Sequence, residues 1–301
     1  MPSSLFAKHG IGLLAPLAGA FRSSLLRSPA GAYRRSQSIA FSARAAPLEA
    51  PTDARRACEP GSPEHCSLME SIQTIGRHDG PRGEVVLRRR LGADFSVEEL
   101  IVNGTFAMDS SDSSTESLLG ELALPSGRAR RVLVGGLGLG YTVATISAKE
   151  VDVIDVVEIE QCLIDWAHQG VTPTLAAVAS DPRVHLYAAD VQLVLDGLGD
   201  GPIGPWDAIV LDVDNGPEFL IHAENGGLYT EAGLGAAYGQ LAVAGTLAIW
   251  CQGLAPTLRA SLEHIAPSVG EHIIEVPRGE RSFRYAIYTV SRPKASLKAA
   301  R

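Results

Sequence analysis

From residue 130 onward the chain alternates short, continuously apolar runs with stretches whose apolar residues recur at helical spacing. "RVLVGG" from Arg131, "VDVIDVVEIE" from Val151, "RVHLYAAD" from Arg183, "WDAIVLDVD" from Trp206 and "TLAIWCQG" from Thr246 are rich in β-branched residues and leucine. That composition predicts strands buried on both faces. Between them "TVATISAK", "QCLIDWAHQG", "DVQLVLDGL", "TEAGLGAAYGQLAV" and "TLRASLEHIAPSV" read as helices. Strands alternating with helices call for a mostly parallel sheet covered on both faces. "EHIIEV" and "RSFRYAIYTVS" follow with no helix between them and predict an antiparallel finish.

Upstream the period changes to two. "EVVLRRRL" and "VEELIVNGTFAM" read as strands, and Asn103-Gly104 between "ELIV" and "TFAM" predicts a type I′ hairpin, whose central residues need positive φ. "STESLLGELAL" then has helical spacing, with Ser114 as its N-cap. The expected organisation is a segment 1–48, a Pro- and Gly-rich linker 49–82, a β-hairpin unit with its helix over 83–125, an α/β domain over 126–293 and a tail 294–301.

Charge separates the first segment from the rest. Residues 1–48 hold six basic residues and no acid, so the net charge of −8 leaves −14 for the remainder. An Arg-, Ser- and Ala-rich stretch without acids has the composition of a mitochondrial or plastid transit peptide; without that role the expected location is cytoplasmic. The acidic remainder argues against nucleic acid as a partner. Its one basic cluster, Arg88 to Arg90, reads as a solvated strand end. No run of about 18 apolar residues predicts a membrane span. Cys58, Cys66, Cys162 and Cys251 lack metal-site or disulfide-framework spacing, so no metal is expected and the thiols read as buried or idle.

In a doubly wound sheet ligands bind beyond the carboxyl ends of the strands. Gly136, Gly138 and Gly140 follow the first strand of the α/β domain and permit close approach to the backbone and to a helix N-terminus. Their spacing departs from the dinucleotide G-x-G-x-x-G, which argues against a nicotinamide oxidoreductase. Glu158, about 20 residues on, can accept both hydroxyls of a ribose. Asp190 ends the next strand, where it can take a hydrogen bond from an adenine amino group or cap the following helix. Together these positions describe an adenosine pocket. Trp250 at the end of "AIW" reads as packing and His185 as a core or surface histidine.

The series "RRVLVGGLGLG", "VDVVEIE", "DPRVHLYAAD", "WDAIVLDVDNGP", "LYTEAGL" and "GTLAIWCQG" resembles the successive motifs of the spermidine synthase family, the polyamine aminopropyltransferases. The resemblance covers about residues 83–291. It implies an S-adenosylmethionine-type Rossmann fold with a mostly parallel seven-stranded sheet behind a small N-terminal antiparallel β unit. It also implies decarboxylated S-adenosylmethionine (or S-adenosylmethionine) as a cosubstrate, with no permanently bound cofactor. Gly136 and Gly138 would then face the sulfonium side, Glu158 the ribose and Asp190 the adenine. The partners implied are a small-molecule nucleoside and a cationic amine, with a homodimer as the assembly.

On the acceptor side the chain departs from that pattern. The resemblance implies a D-x-x-D segment whose second Asp takes the amine's proton, and here that position is Asn215, a side chain that cannot accept a proton at neutral pH. Asp212 and Asp214 remain as candidate catalytic carboxylates, although Asp-Asn-Gly-Pro is also a good turn. The glutamine expected after the hairpin falls on Ala107, and the expected tyrosine falls near Thr115. Glu116 and Tyr229 are the candidate acceptor-binding residues, with Glu218 a further source of negative charge. Because a primary ammonium has a pKa near 10, a carboxylate that attracts and deprotonates it is close to indispensable. A methyltransferase using intact S-adenosylmethionine and a non-catalytic nucleoside-binding protein are the alternatives.

Overall fold

A computed structural model describes residues 70–278 and 281–294. The expected targeting segment, most of the expected linker, Cys58 and Cys66 lie outside the described residues. The described residues contain two sheets. Strands β1 (Ser71–Gly80), β2 (Gly83–Leu91), β3 (Ser96–Val102) and β4 (Thr105–Asp109) make an antiparallel sheet in the order β1-β2-β3-β4. The hairpin falls where Asn103-Gly104 predicts it, with Asn103 at φ 51° and Gly104 at φ 73°. Asn103 also reaches across the sheet, accepting the Glu84 N–H at 3.0 Å and donating to the Arg82 carbonyl at 3.0 Å.

Two expectations for this sheet are corrected. β1 occupies sequence expected to be linker: its own residues are mostly exposed, but it pairs along its length with β2, and Gly76 packs against the Trp166 ring. Pairing decides where amphipathicity is absent, because a strand buried on neither face carries no period-two signal. The Arg88–Arg90 cluster is no bare strand end. Arg88 and Arg90 both bond Glu99, at 2.5 and 3.1 Å, and Arg89 bonds Glu98 at 3.2 Å. The acids come from β3: Glu99 and Glu98 stand directly opposite Arg88 and Arg89 in register, and Arg90, opposite Val97, reaches Glu99 diagonally.

The second sheet has seven strands in the order β10-β11-β9-β8-β5-β6-β7, so the fold is the S-adenosylmethionine-type α/β arrangement expected. β5 (Arg128–Gly135), β6 (Glu150–Glu158), β7 (Val184–Ala188), β8 (Trp206–Leu211) and β9 (Leu241–Cys251) are parallel. β11 (Arg281–Ser291) and β10 (Val269–Arg278) close it antiparallel. Period-two alternation divides the core. Val132 and Val134 of β5 face one apolar cluster with α1 (Ser114–Ala123), α2 (Tyr141–Ser147), α3 (Gln161–Gln169) and α4 (Pro173–Ser180). Leu133 faces the other, with α5 (Val191–Leu195), α6 (Glu231–Gly239) and α7 (Pro256–Ile265). Val85, Leu87, Leu100 and Val102 of the small sheet join the first cluster, which fixes that sheet against the domain.

Two local expectations also move. α1 starts at Ser114 itself, after Ser113, and Asp112 accepts the Ser114 N–H at 2.9 Å. α4 has no counterpart in the sequence reading; its start is set by Thr172, whose hydroxyl accepts the Leu175 N–H, and by Pro173.

Candidate active site at the switch point of the sheet

The chain runs from β5 outward through β6 and β7, then returns to place β8 on the other side of β5. The crevice between the diverging βα loops opens there. It holds a cavity of about 140 Å³, whose lining includes Glu116, Gly138, Glu158, Asp190, Asp212 and Trp250. A narrower recess of about 30 Å³ adjoins it, sharing Ala107, Met108, Glu116, Asn215 and Trp250.

The glycines serve different purposes. Gly136 has φ 91°, and a Cβ there would run into the Asp212 backbone carbonyl, so this glycine lets β5 and β8 exit side by side. Gly138 lines the cavity beside Met108 Sδ. Gly140 does not line it: at φ 88° it is the N-cap of α2 and packs toward Val178 and Leu175 of α4.

Glu158 ends β6, buried, with Oε2 accepting the Leu137 N–H and Oε1 the Glu160 N–H, each at 2.8 Å. Burial raises its carboxyl pKa, and those two bonds oppose the rise. The Gly138 N–H adds a third contact from the glycine loop, and a carboxylate's roughly four acceptor sites leave room for a ligand as well. Asp190 likewise does two things. It caps α5 by accepting the Gln192 N–H at 2.8 Å, and it lines the cavity. Glu160, also on the wall, is paired with Arg82 at 3.2 Å.

Asp212 leaves β8 into the cavity, its Oδ2 accepting the Thr142 hydroxyl at 2.7 Å. Burial, then the negative charge of Glu116, push its carboxyl up to about 7, and the Thr142 bond opposes them. Glu116 is buried on the first turn of α1 and accepts the Thr115 hydroxyl at 2.7 Å. Asp214 and Asn215 both line the cavity, and Asn215 extends into the recess. Tyr229 lines neither. Its buried hydroxyl donates to the Val213 carbonyl at 2.5 Å, and burial holds the phenol well above its ordinary pKa. Glu218 is exposed and accepts the Thr257 hydroxyl at 3.2 Å.

Sequence reasoning passed over Met108, Thr142, His222 and Asn225, all close to these groups. Met108 and Thr142 sit in elements whose patterns announce only structure. His222 and Asn225 lie in the aperiodic stretch after β8 and line the cavity. Trp250 packs as expected, 5.5 Å from Tyr285 ring to ring, and is also a wall of both spaces. Among the described residues no group of three His, Cys, Asp or Glu is placed to hold a metal, and Cys162 and Cys251 are buried free thiols.

This sheet order, the glycine turn after β5 and the cavity at the switch point define a Rossmann-type α/β protein of the S-adenosylmethionine topology. In fold it is spermidine synthase-like. A spermidine synthase in complex with the transition-state analogue AdoDATO superposes with a TM-score of 0.60 at 16% identity, over 75% of this chain and 76% of that one. A spermidine synthase from Thermotoga maritima gives 0.56 at 15% identity, over 75% and 74%. At such identities the likeness is one of fold. No family model and no curated protein sequence matches the chain.

Proposed function

We propose that the cavity binds decarboxylated S-adenosylmethionine and that the protein transfers its aminopropyl group to a cationic amine. The observation that carries this reading is the charge of the wall. Six carboxyl groups line the cavity, from Glu116, Glu158, Glu160, Asp190, Asp212 and Asp214; Glu160 is paired with Arg82, and among the described residues no Lys or Arg lines the cavity itself. Such a wall favours a sulfonium and ammonium ions over an anion. Intact S-adenosylmethionine brings a carboxylate that would face like charge, which disfavours the methyltransferase reading. The spermidine synthase that superposes on this chain was crystallised with AdoDATO, a transition-state analogue, which agrees with a nucleoside in the equivalent crevice.

In this reading Glu158 takes the ribose hydroxyls and Asp190 the adenine amine. The amine nitrogen attacks the carbon next to the sulfonium, a C–N bond forms, and the C–S bond breaks with its electron pair going to sulfur. The neutral thioether methylthioadenosine leaves. The amine must first lose a proton, and Asp212 is the residue assigned to accept it: its pKa near 7 matches general-base work at neutral pH. Glu116 holds the ammonium beside it. Calorimetric titration with decarboxylated and intact S-adenosylmethionine, followed by assay of methylthioadenosine release with a panel of amines, tests the proposal. Tighter binding of the intact nucleoside, or methyl transfer, would overturn it.

A further inference from the structure

We infer that the acceptor carries a neutral oxygen, such as a hydroxyl, near its reacting amine; the inference rests on the aminopropyl-transfer reading above. Two side chains at the junction of cavity and recess carry it. Trp250 is 7% exposed and lines both spaces, and its buried indole N–H has no hydrogen-bond partner among the described residues. Asn215 is 6% exposed and also lines both. Its backbone carbonyl is taken by the Gln252 N–H at 3.0 Å, so the side-chain amide is what it offers a ligand.

An indole N–H can only donate. An ammonium offers it nothing, because it has no lone pair, and neither does a methylene chain. A buried donor left without an acceptor is costly, so this junction is matched to a ligand that brings an oxygen lone pair. A carboxylate is disfavoured because Glu116 stands at the same junction and Asp212 on the adjoining wall. A hydroxyl fits both neighbours: it accepts from Trp250 and donates to the carbonyl oxygen of Asn215. The division of labour is then plain, with carboxylates taking the cationic nitrogen and the Trp250–Asn215 pair taking the neutral oxygen. A site built to bond a hydroxyl discriminates against the analogue that lacks it.

The test compares kcat/KM for putrescine and hydroxyputrescine with the full chain and decarboxylated S-adenosylmethionine. Wild type is expected to prefer the hydroxylated amine by about tenfold. Trp250→Phe keeps a ring and deletes the donor, and should bring the ratio of the two constants close to one. Asn215→Leu, which deletes the acceptor for the hydroxyl proton, should move the ratio toward putrescine. Equal use of the two amines by wild type, or a ratio unmoved in Trp250→Phe, would overturn the inference and leave aminopropyl transfer standing. Failure of both amines while the nucleoside still binds would instead overturn the transfer reading, and this inference with it.

Discussion

The side-chain amide of Asn225 donates to Asp214 Oδ2 at 2.6 Å, and this bond distinguishes the two aspartates of "DVD". Asp214 sits in the left-handed region at φ 54°, a conformation that Asp tolerates better than most residues. Its neighbours are anchored too, Val213 by the Tyr229 hydroxyl and Asn215 by the Gln252 N–H. Three consecutive residues are thus held from three directions. Asp214 is the residue that shapes the loop, whereas Asp212, two residues earlier, bonds Thr142 and feels the charge of Glu116.

Asp212→Asn is therefore expected to lower turnover by about 100- to 10,000-fold, the usual cost of losing a general base. Binding of methylthioadenosine should change little, because the residues proposed to hold the ribose and adenine, Glu158 and Asp190, follow other strands. Asp214→Asn should cost less, acting through the loop. Single-turnover rates of the two variants with saturating nucleoside measure the order. The opposite order would assign the proton to Asp214.

The raised carboxyl of Asp212 gives a pH signature in both activity and stability. A base must be ionised, so kcat/KM should climb as pH rises through about 7. Stability should move the other way. Between the ordinary carboxylate range and about 7 the folded chain holds a proton at Asp212 that the unfolded chain has released, so stability falls with rising pH across that window. The slope is at most about 1.4 kcal/mol per pH unit. Asp212→Asn should flatten it, and urea unfolding of both proteins at a series of pH values measures the difference.

Much of this arrangement is legible in the sequence, for identifiable reasons. The buried strands of the large sheet are continuous apolar runs, and Gly136, Glu158, Asp190 and Asp212 all fall at their carboxyl ends. What escapes is whatever depends on cross-chain contact. β1 has no buried face to betray it, and α4 lacks a polar face to set its period. Tyr229 looks like a pocket residue until its hydroxyl is seen bonded to Val213. Gly140 belongs to the same glycine run as Gly138, yet helix packing, and not a ligand, explains it.

Glu158→Gln should weaken both the fold and the site. The wild-type carboxylate serves two N–H groups through its two oxygens, and glutamine has one carbonyl oxygen, so either Leu137 or Glu160 loses its acceptor. A buried donor left unmade costs about 1–3 kcal/mol, which should appear as a lower melting temperature. If Glu158 takes the ribose as proposed, methylthioadenosine affinity should fall by a comparable amount, since the ribose also loses an acceptor. Unchanged calorimetric affinity in a variant that folds would remove the ribose role from Glu158.

Gly136 is needed for a close approach of two backbones, Gly127 only for its turn. Gly127 has φ 69° with open space where a Cβ would stand, so Gly127→Ala should cost about 1 kcal/mol, the penalty of positive φ alone. Gly136 has φ 91° and the Asp212 carbonyl in the place of the Cβ, so Gly136→Ala adds an overlap with backbone. The total should be at least about 3 kcal/mol. Relief of that overlap has to move the end of β8, because the Asp212 N–H is itself bonded to the Gly135 carbonyl at 2.9 Å. Turnover in Gly136→Ala should therefore fall with stability, while Gly127→Ala, at the opposite end of β5, loses stability only. Thermal melts and methylthioadenosine release measured on the same preparations decide the matter, and equal melting temperatures for the two variants would show that the contact between Gly136 and Asp212 does not constrain the site.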